Sequence, residues 1–339
     1  MNIKTCRTAV ALNLLWLATM GCQVEDQADG VAGSDAARAT AVLAAGPNAA
    51  VSQFALPDVE IRSDLELGTF PESWRTGGPN CTDMPRWQVH AYNPDFYILR
   101  QSGCVHYEKP FLYLIFGEER ALLEDTGAGD ADTAALVLPL VEQWSERNGK
   151  DSTVPLTVVH SHSHGDHVAG DRGFDNLPGV AVVAAAVGDI QVAFGIENWP
   201  SDTGQIDLGD RVLDVIPIPG HDGASIALYD RATGVLLTGD SLYPGRLYVG
   251  YNNFRTFVES NQRLVDFTRD RPVAHILGTH IEQTRTPFVD YPRGTRYQPD
   301  EHTLEMSRGL LLELNGALID LNGRPEEVAL RDLTLFPIR

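Results

Sequence analysis

The stretch Leu156-Thr157-Val158-Val159-His160-Ser161-His162-Ser163-His164-Gly165-Asp166-His167 runs from an apolar tetrapeptide straight into four imidazoles and a carboxylate. The first four residues have the composition of a buried strand, and Gly165 marks the turn that follows. A run so rich in histidine is costly beside an apolar strand unless it binds something. Nitrogen and oxygen donors in this mixture suit zinc. In an extended chain His162 and His164 point to the same side, so one metal can take both. Asp166 and His167, at the entry to the next helix, are placed to face a second metal. His160 falls out of frame and is expected to pack or to hydrogen-bond behind the ligands.

Outward from this stretch, short apolar runs alternate with longer amphipathic ones. Strands are predicted at Phe96–Leu99, Phe111–Phe116, Ala121–Leu123, Leu156–Val159, Val180–Ala186, Val212–Ile218, Ile226–Tyr229 and Val235–Leu237. Helices are predicted at Ala134–Arg147, Phe254–Arg269 and Leu304–Asn315. The early strands follow one another closely, as in an antiparallel meander, and helices separate the later ones. The mixture indicates a layered α/β protein with a mixed sheet.

Further polar residues stand at the ends of apolar runs, where a sheet edge would gather them. Asp125 closes Leu122-Leu123-Glu124-Asp125-Thr126-Gly127, His221 follows Pro219-Gly220, Asp240 follows Thr238-Gly239, and His280 follows Gly278-Thr279. With His162-x-His164-x-Asp166-His167, this series resembles the motifs of the metallo-β-lactamase superfamily, in that family's order. The resemblance spans about Trp87 to His280 and implies an αββα sandwich, two packed mixed β-sheets flanked by helices. It further implies a dinuclear zinc site, two Zn2+ per chain, on His162, His164, Asp166, His167, His221, Asp240 and His280. In that scheme Asp240 bridges the metals, Asp166 serves the second one, and Asp125 orients the histidine loop without binding metal.

What the resemblance implies for chemistry is hydrolysis by a metal-bridging hydroxide. The flavodiiron branch carries glutamate where this chain has His164. True zinc β-lactamases usually lack the aspartate seen here as Asp240. Glyoxalase-II-like thioesterases, lactonases and some phosphodiesterases share the full set, so a carboxylic ester, thioester or lactone is the expected substrate. A β-lactam or phosphodiester, or iron-dependent sulfur oxidation on the same fold, is the alternative. As in lactonases that resemble this chain, Tyr243 is the candidate phenolic donor to an oxyanion, with Tyr248 and Tyr251 nearby. Nothing after His280 matches the glutathione-binding helices of glyoxalase II.

Composition bounds the partners. The 339-residue chain carries 46 Asp and Glu against 26 Lys and Arg, a net charge of −20 at pH 7, so a phosphate backbone would be repelled and nucleic acid is not expected as a partner. A small molecule is expected instead, and the oligomeric state is unreadable.

The organisation predicted is a lipoprotein-like signal peptide at 1–22, a flexible tether and irregular segment at 23–85, and the catalytic domain at 86–339. Lys4 and Arg7 precede the mainly apolar run Thr8–Met20, too short to span a bilayer comfortably, and the segment closes on Gly21-Cys22. The protein is therefore expected to be exported, periplasmic or membrane-anchored, touching a membrane only through a lipid on Cys22. In the folded part that leaves Cys81 and Cys104, an even pair that suggests a disulfide in an exported protein, although spacing alone leaves two free thiols open.

Overall fold

In the computed structural model, the described residues are 64–82 and 84–339. The expected targeting segment with Cys22, and the tether up to residue 63, lie outside them. The described residues between 65 and 86 contain no helix or strand, yet they lie against the sheets. The Thr69 amide donates to the Tyr92 carbonyl at 2.9 Å, and the rings of Phe70 and Trp74 pack on the central core. The disulfide Cys81–Cys104 is formed, with a Cα–Cα distance of 5.2 Å, and it fastens this segment to the turn after the second strand.

In chain order the first sheet takes β1 (Trp87–Asn93), β2 (Phe96–Gln101), β3 (Phe111–Phe116) and β4 (Ala121–Glu124). Helix α1 (Thr133–Arg147) then crosses to β5 (Leu156–Val159), and α2 (Gly165–Val168) leads on to β6 (Val180–Val182). After α3 (Val187–Phe194) come β7 (Gly204–Asp207), β8 (Val212–Pro217), β9 (Ile226–Asp230) and β10 (Val235–Leu237). Next are β11 (Arg246–Gly250), α4 (Phe254–Phe267), β12 (His275–Leu277), β13 (Glu305–Met306), α5 (Arg308–Leu321), β14 (Val328–Ala329) and β15 (Thr334–Ile338).

Two six-stranded sheets result, ordered β1-β2-β3-β4-β5-β6 and β13-β12-β10-β9-β8-β7, with a small third sheet β11-β15-β14. Both large sheets are mixed: β1 to β4 pair antiparallel, whereas β4-β5-β6 and β10-β12 run parallel.

Alternation along the strands sorts side chains into layers. Ile98, Tyr113 and Ile115 of the first sheet meet Val215, Leu228 and Leu237 of the second in the central core. Their neighbours Leu99, Leu112 and Leu114 face the other way, onto Val137, Val141 and Trp144 of α1. On the far side, Ile216, Ala227 and Leu236 pack against Phe257 and Leu264 of α4 and Leu311 and Leu314 of α5. With both faces covered, these strands read as unbroken apolar runs rather than alternating ones. The four layers are the αββα sandwich expected.

Several boundaries differ from expectation. Strand β6 stops at Val182 instead of Ala186, and the last helix begins at Arg308 because Glu305–Met306 pairs antiparallel with β12. Strands β1, β7 and β11 to β15 gave no readable run, being short, half-polar or at sheet edges.

Candidate metal centre

All seven ligand candidates meet at one edge of the packed sheets. The loop after β5 carries His162 and His164, and α2 carries Asp166 and His167 on its first turn. His221 follows β8, Asp240 lies in the tight turn after β10, and His280 follows β12. Two glycines allow the approach. A Cβ on Gly220 would lie 2.5 Å from the Phe257 Cα, and one on Gly239 would lie 2.8 Å from the Ser161 Cβ. Gly239 also takes a left-handed φ of +52°.

Two clusters form. The Nδ1 of His164 lies 3.0 Å from the Nε2 of His162 and 3.0 Å from the Nε2 of His221. On the other side the Oδ2 of Asp166 lies 3.3 Å from both His167 Nε2 and His280 Nε2. Asp240 stands between them. Its Oδ2 is 3.5 Å from His221 Nε2 and 3.9 Å from His162 Nε2, and its Oδ1 is 3.2 Å from His280 Nε2 and 3.6 Å from His167 Nε2.

Acceptors behind the rings fix which nitrogen faces inward. His221 Nδ1–H donates to the Tyr248 carbonyl at 2.7 Å, His280 Nδ1–H to the Glu108 carbonyl at 3.1 Å, and His167 Nδ1–H to Asp125 Oδ2 at 2.7 Å. Each Nε2 therefore faces into the site. Asp125 also accepts from the Ser161 backbone amide and hydroxyl, both at 2.8 Å. Asp222 accepts from Ser163 Oγ at 3.0 Å and from the Ala224 amide at 2.9 Å, tying the loop of His162 and His164 to the turn of His221.

Electrostatics favour a cation here. Burial alone would lower His280, but Asp240 and the hydrogen bonds to Asp166 and Asp240 hold it up at about 10. His167 is likewise raised against its burial, by Asp125, Asp240 and Asp166. Asp240 is held low against its burial by the charges of His280 and His167. His162 and His221 are pushed down chiefly by burial, which leaves them neutral donors. The buried Nε2 of His167 has no hydrogen-bond partner, and within each of the triads His162/His164/His221, His162/His167/Asp240 and Asp166/His167/His280 the donor atoms lie within 4.8 Å of one another. Imidazole and carboxylate in this arrangement fit divalent transition metals.

With this geometry in place, the sequence profile of the family described as the metallo-beta-lactamase superfamily matches residues 110–280. The chain belongs to that superfamily.

Within it, the chain is 29% identical over 208 residues to an acyl-coenzyme A thioesterase, MBLAC2 of Gallus gallus, covering 50% of this chain and 72% of that protein. It is 31% identical over 134 residues to a hydroxyacylglutathione hydrolase of Methylococcus capsulatus, covering 38% of this chain and 50% of that one. Among solved structures it resembles a metallo-beta-lactamase from Pontibacter korlensis at 18% identity and a TM-score of 0.47, over 69% of this chain and 99% of that one.

Around this superfamily centre, a cavity of about 340 Å3 opens over His164, Asp166, His221, Asp240 and His280. Tyr243 and Tyr248 wall it. The Tyr243 hydroxyl donates to the Arg246 carbonyl, and its ring meets the His280 ring edge-on at 5.6 Å. The Tyr248 hydroxyl receives Arg246 Nε at 2.9 Å and lies 3.3 Å from Glu282 Oε1. Tyr251 is exposed at the surface. His160 is buried behind the loop, with Nδ1 3.3 Å from the His167 carbonyl and Nε2 3.3 Å from Asp171. His275 packs its ring on Phe70 and Tyr92. The carbonyls of Glu108 and Tyr248 and the carboxylate of Glu282 were not legible beforehand. A carbonyl's role leaves no mark on residue type.

Proposed function

We propose that this protein is a zinc-dependent hydrolase with two metals per chain, acting on a carboxylic thioester, ester or lactone. The observation that carries the reading is Asp240, whose two carboxylate oxygens each face a separate imidazole cluster. His162, His164 and His221 would hold one zinc, Asp166, His167 and His280 the other, and Asp240 both. Such a pair, when bound, supplies a water acidified to near neutrality and positive charge for a carbonyl oxygen.

The chain's own residues do the rest. Asp125, Tyr248 and Glu108 fix the ring orientations from behind, so the donors need no rearrangement. Tyr243, the expected oxyanion donor, has its proton directed at the Arg246 carbonyl and would have to exchange that bond to serve the substrate. The thioesterase and hydroxyacylglutathione hydrolase relatives support thioester or ester cleavage. The basic and apolar start, ending at Cys22, supports export with Cys22 as the lipid anchor.

The test is zinc-loaded protein assayed on matched thioester, ester, lactone, β-lactam and phosphodiester substrates, with metal content read by plasma mass spectrometry. The expected result is two zinc ions and turnover concentrated on thioester, ester or lactone. A single metal, or turnover confined to β-lactams or phosphodiesters, overturns it.

A further inference from the structure

A second cavity of about 240 Å3 lies beside the one over the imidazoles, and Glu108, Tyr248 and Glu282 belong to the walls of both. The two cavities are therefore adjacent, with these three residues between them. Two cations line the second cavity, Lys109 and Arg293. Its carboxylates are already engaged. Glu282 pairs with Arg246 Nη2 at 3.0 Å and accepts the Arg246 backbone amide at 2.9 Å. Glu108 is hydrogen-bonded to the Tyr107 phenol, and that bond with the Glu108 charge pushes the phenol up to about 12.

The cations are differently placed. Lys109 is buried, 3% exposed, and its Nζ donates to the carbonyls of Tyr107 at 2.7 Å and Thr295 at 2.9 Å. An ammonium carries three N–H donors, so one remains. Burial, then the charge of Arg100, brings the group down to about 8, which leaves it cationic at neutral pH. Arg293 lies with its Cζ 4.7 Å from the ring centres of both Tyr248 and Phe336. Both rings attract the guanidinium as a cation, and among the described residues its N–H groups have no hydrogen-bond or carboxylate partner.

Among the described residues Arg293 has no carboxylate partner, unlike its neighbours: Arg246 pairs with Glu282 and Asp290, and Arg100 with Glu301. In a chain of net charge −20, this cavity gathers two cations against two carboxylates, and one of the cations has no anionic partner. Its geometry suits a planar or tetrahedral oxyanion.

We propose that this cavity binds an anionic arm of the substrate, a carboxylate or phosphate, through Arg293 and Lys109, so that esters or thioesters bearing such an arm are favoured. This rests on the hydrolase reading above. The arm belongs either to the acyl group or to the leaving thiol, and matched pairs separate the two. On the acyl side the pair is the glutaryl and pentanoyl thioesters of N-acetylcysteamine. On the thiol side it is the pentanoyl thioesters of 3-mercaptopropionate and propanethiol.

Binding is read first, without turnover, by calorimetry on the full zinc-loaded and metal-free chain. The probes are uncleavable thioethers, S-(4-carboxybutyl)- and S-pentyl-N-acetylcysteamine, and S-pentyl-3-mercaptopropionate against pentyl propyl sulfide. In at least one pair the anionic member should bind about fivefold more tightly, the scale of one partly exposed ion pair. The preference should shrink with added salt. Arg293→Ala should bring the ratio close to one and Arg293→Lys should keep part of it, with melting curves confirming that both fold. The KM ratio of the corresponding thioesters should follow. Equal affinity within both pairs, absence of binding by all four probes, or a ratio unchanged in both Arg293→Ala and Lys109→Met overturns the proposal. If anionic probes are preferred but no thioester is cleaved, the subsite stands and the hydrolase reading fails.

Discussion

The Oδ2 of Asp125 accepts the Nδ1–H of His167 at 2.7 Å, with both side chains fully buried. The same carboxylate takes the amide and hydroxyl of Ser161, so one group at the end of β4 sets both the His167 ring and the loop that bears His162. Asp125 sits at a left-handed φ of +68°, a conformation Asp and Asn tolerate better than most residues. Asp125→Asn should therefore fold, yet lower metal affinity about 10- to 100-fold by releasing His167. Asp125→Ala should add a loss of about 1–3 kcal/mol in stability, because buried donors are left unpaired. Metal titration and denaturant melts check both. Unchanged affinity in both variants would remove Asp125 from the support of the site.

Replacing Asp240 should separate binding from folding. Each of its oxygens serves a different cluster, while His162, His164 and His221 stay together without it. Asp240→Ala should leave about one zinc per chain and cut turnover at least about a hundredfold. Plasma mass spectrometry beside kinetics decides the matter, and a variant with two metals and full activity would refute the bridging role.

Metal binding should expel protons. In the metal-free protein His280 is held at about 10, and His167 is raised too, by the surrounding carboxylates in opposition to burial. Loading at pH 7 should release at least about two protons per chain, measurable by calorimetry in buffers of different ionisation enthalpy. The sign for stability follows. The contribution of His280 is fully present below about pH 6.5 and is lost as pH rises through about 10, and that of His167 has the same sign. The metal-free melting temperature should fall across that window, and a rise there, or a loading reaction without proton release, would contradict the charge arrangement.

The bridge between Cys81 and Cys104 closes a loop with a sequence separation of 23. Replacing both by Ser should cost about 3 kcal/mol on the chain-entropy model. The loss should appear as a lower urea midpoint with the metal content unchanged, since the bridge fastens the segment before β1 and no ligand. Two alkylatable thiols in the native oxidised protein would show the bridge to be absent.

Much of this molecule was legible before folding. Leu156–Val159 and Phe111–Phe116 are apolar throughout because both faces of their sheets are covered, and such runs announce themselves. The turn from β5 into α2 was legible because neighbouring side chains in a strand or helical turn take directions set by local geometry. The sequence by itself determined which residues carry donor atoms and that His162 and His164 share a side.

Only the tertiary structure decided how distant parts meet. Strands β8, β10 and β12 deliver His221, Asp240 and His280 to one edge through the order of the second sheet, and the close passage of Gly239 over Ser161 brings Asp240 between the clusters. The backing carbonyls of Tyr248 and Glu108, and the approach of Arg293 to the rings of Tyr248 and Phe336, depend on β11, β15 and the loop after β12. Every residue has a carbonyl and most arginines lie on the surface, so neither leaves a trace in composition. What selects them is the proximity of segments far apart in the chain, which packing supplies and local spacing does not.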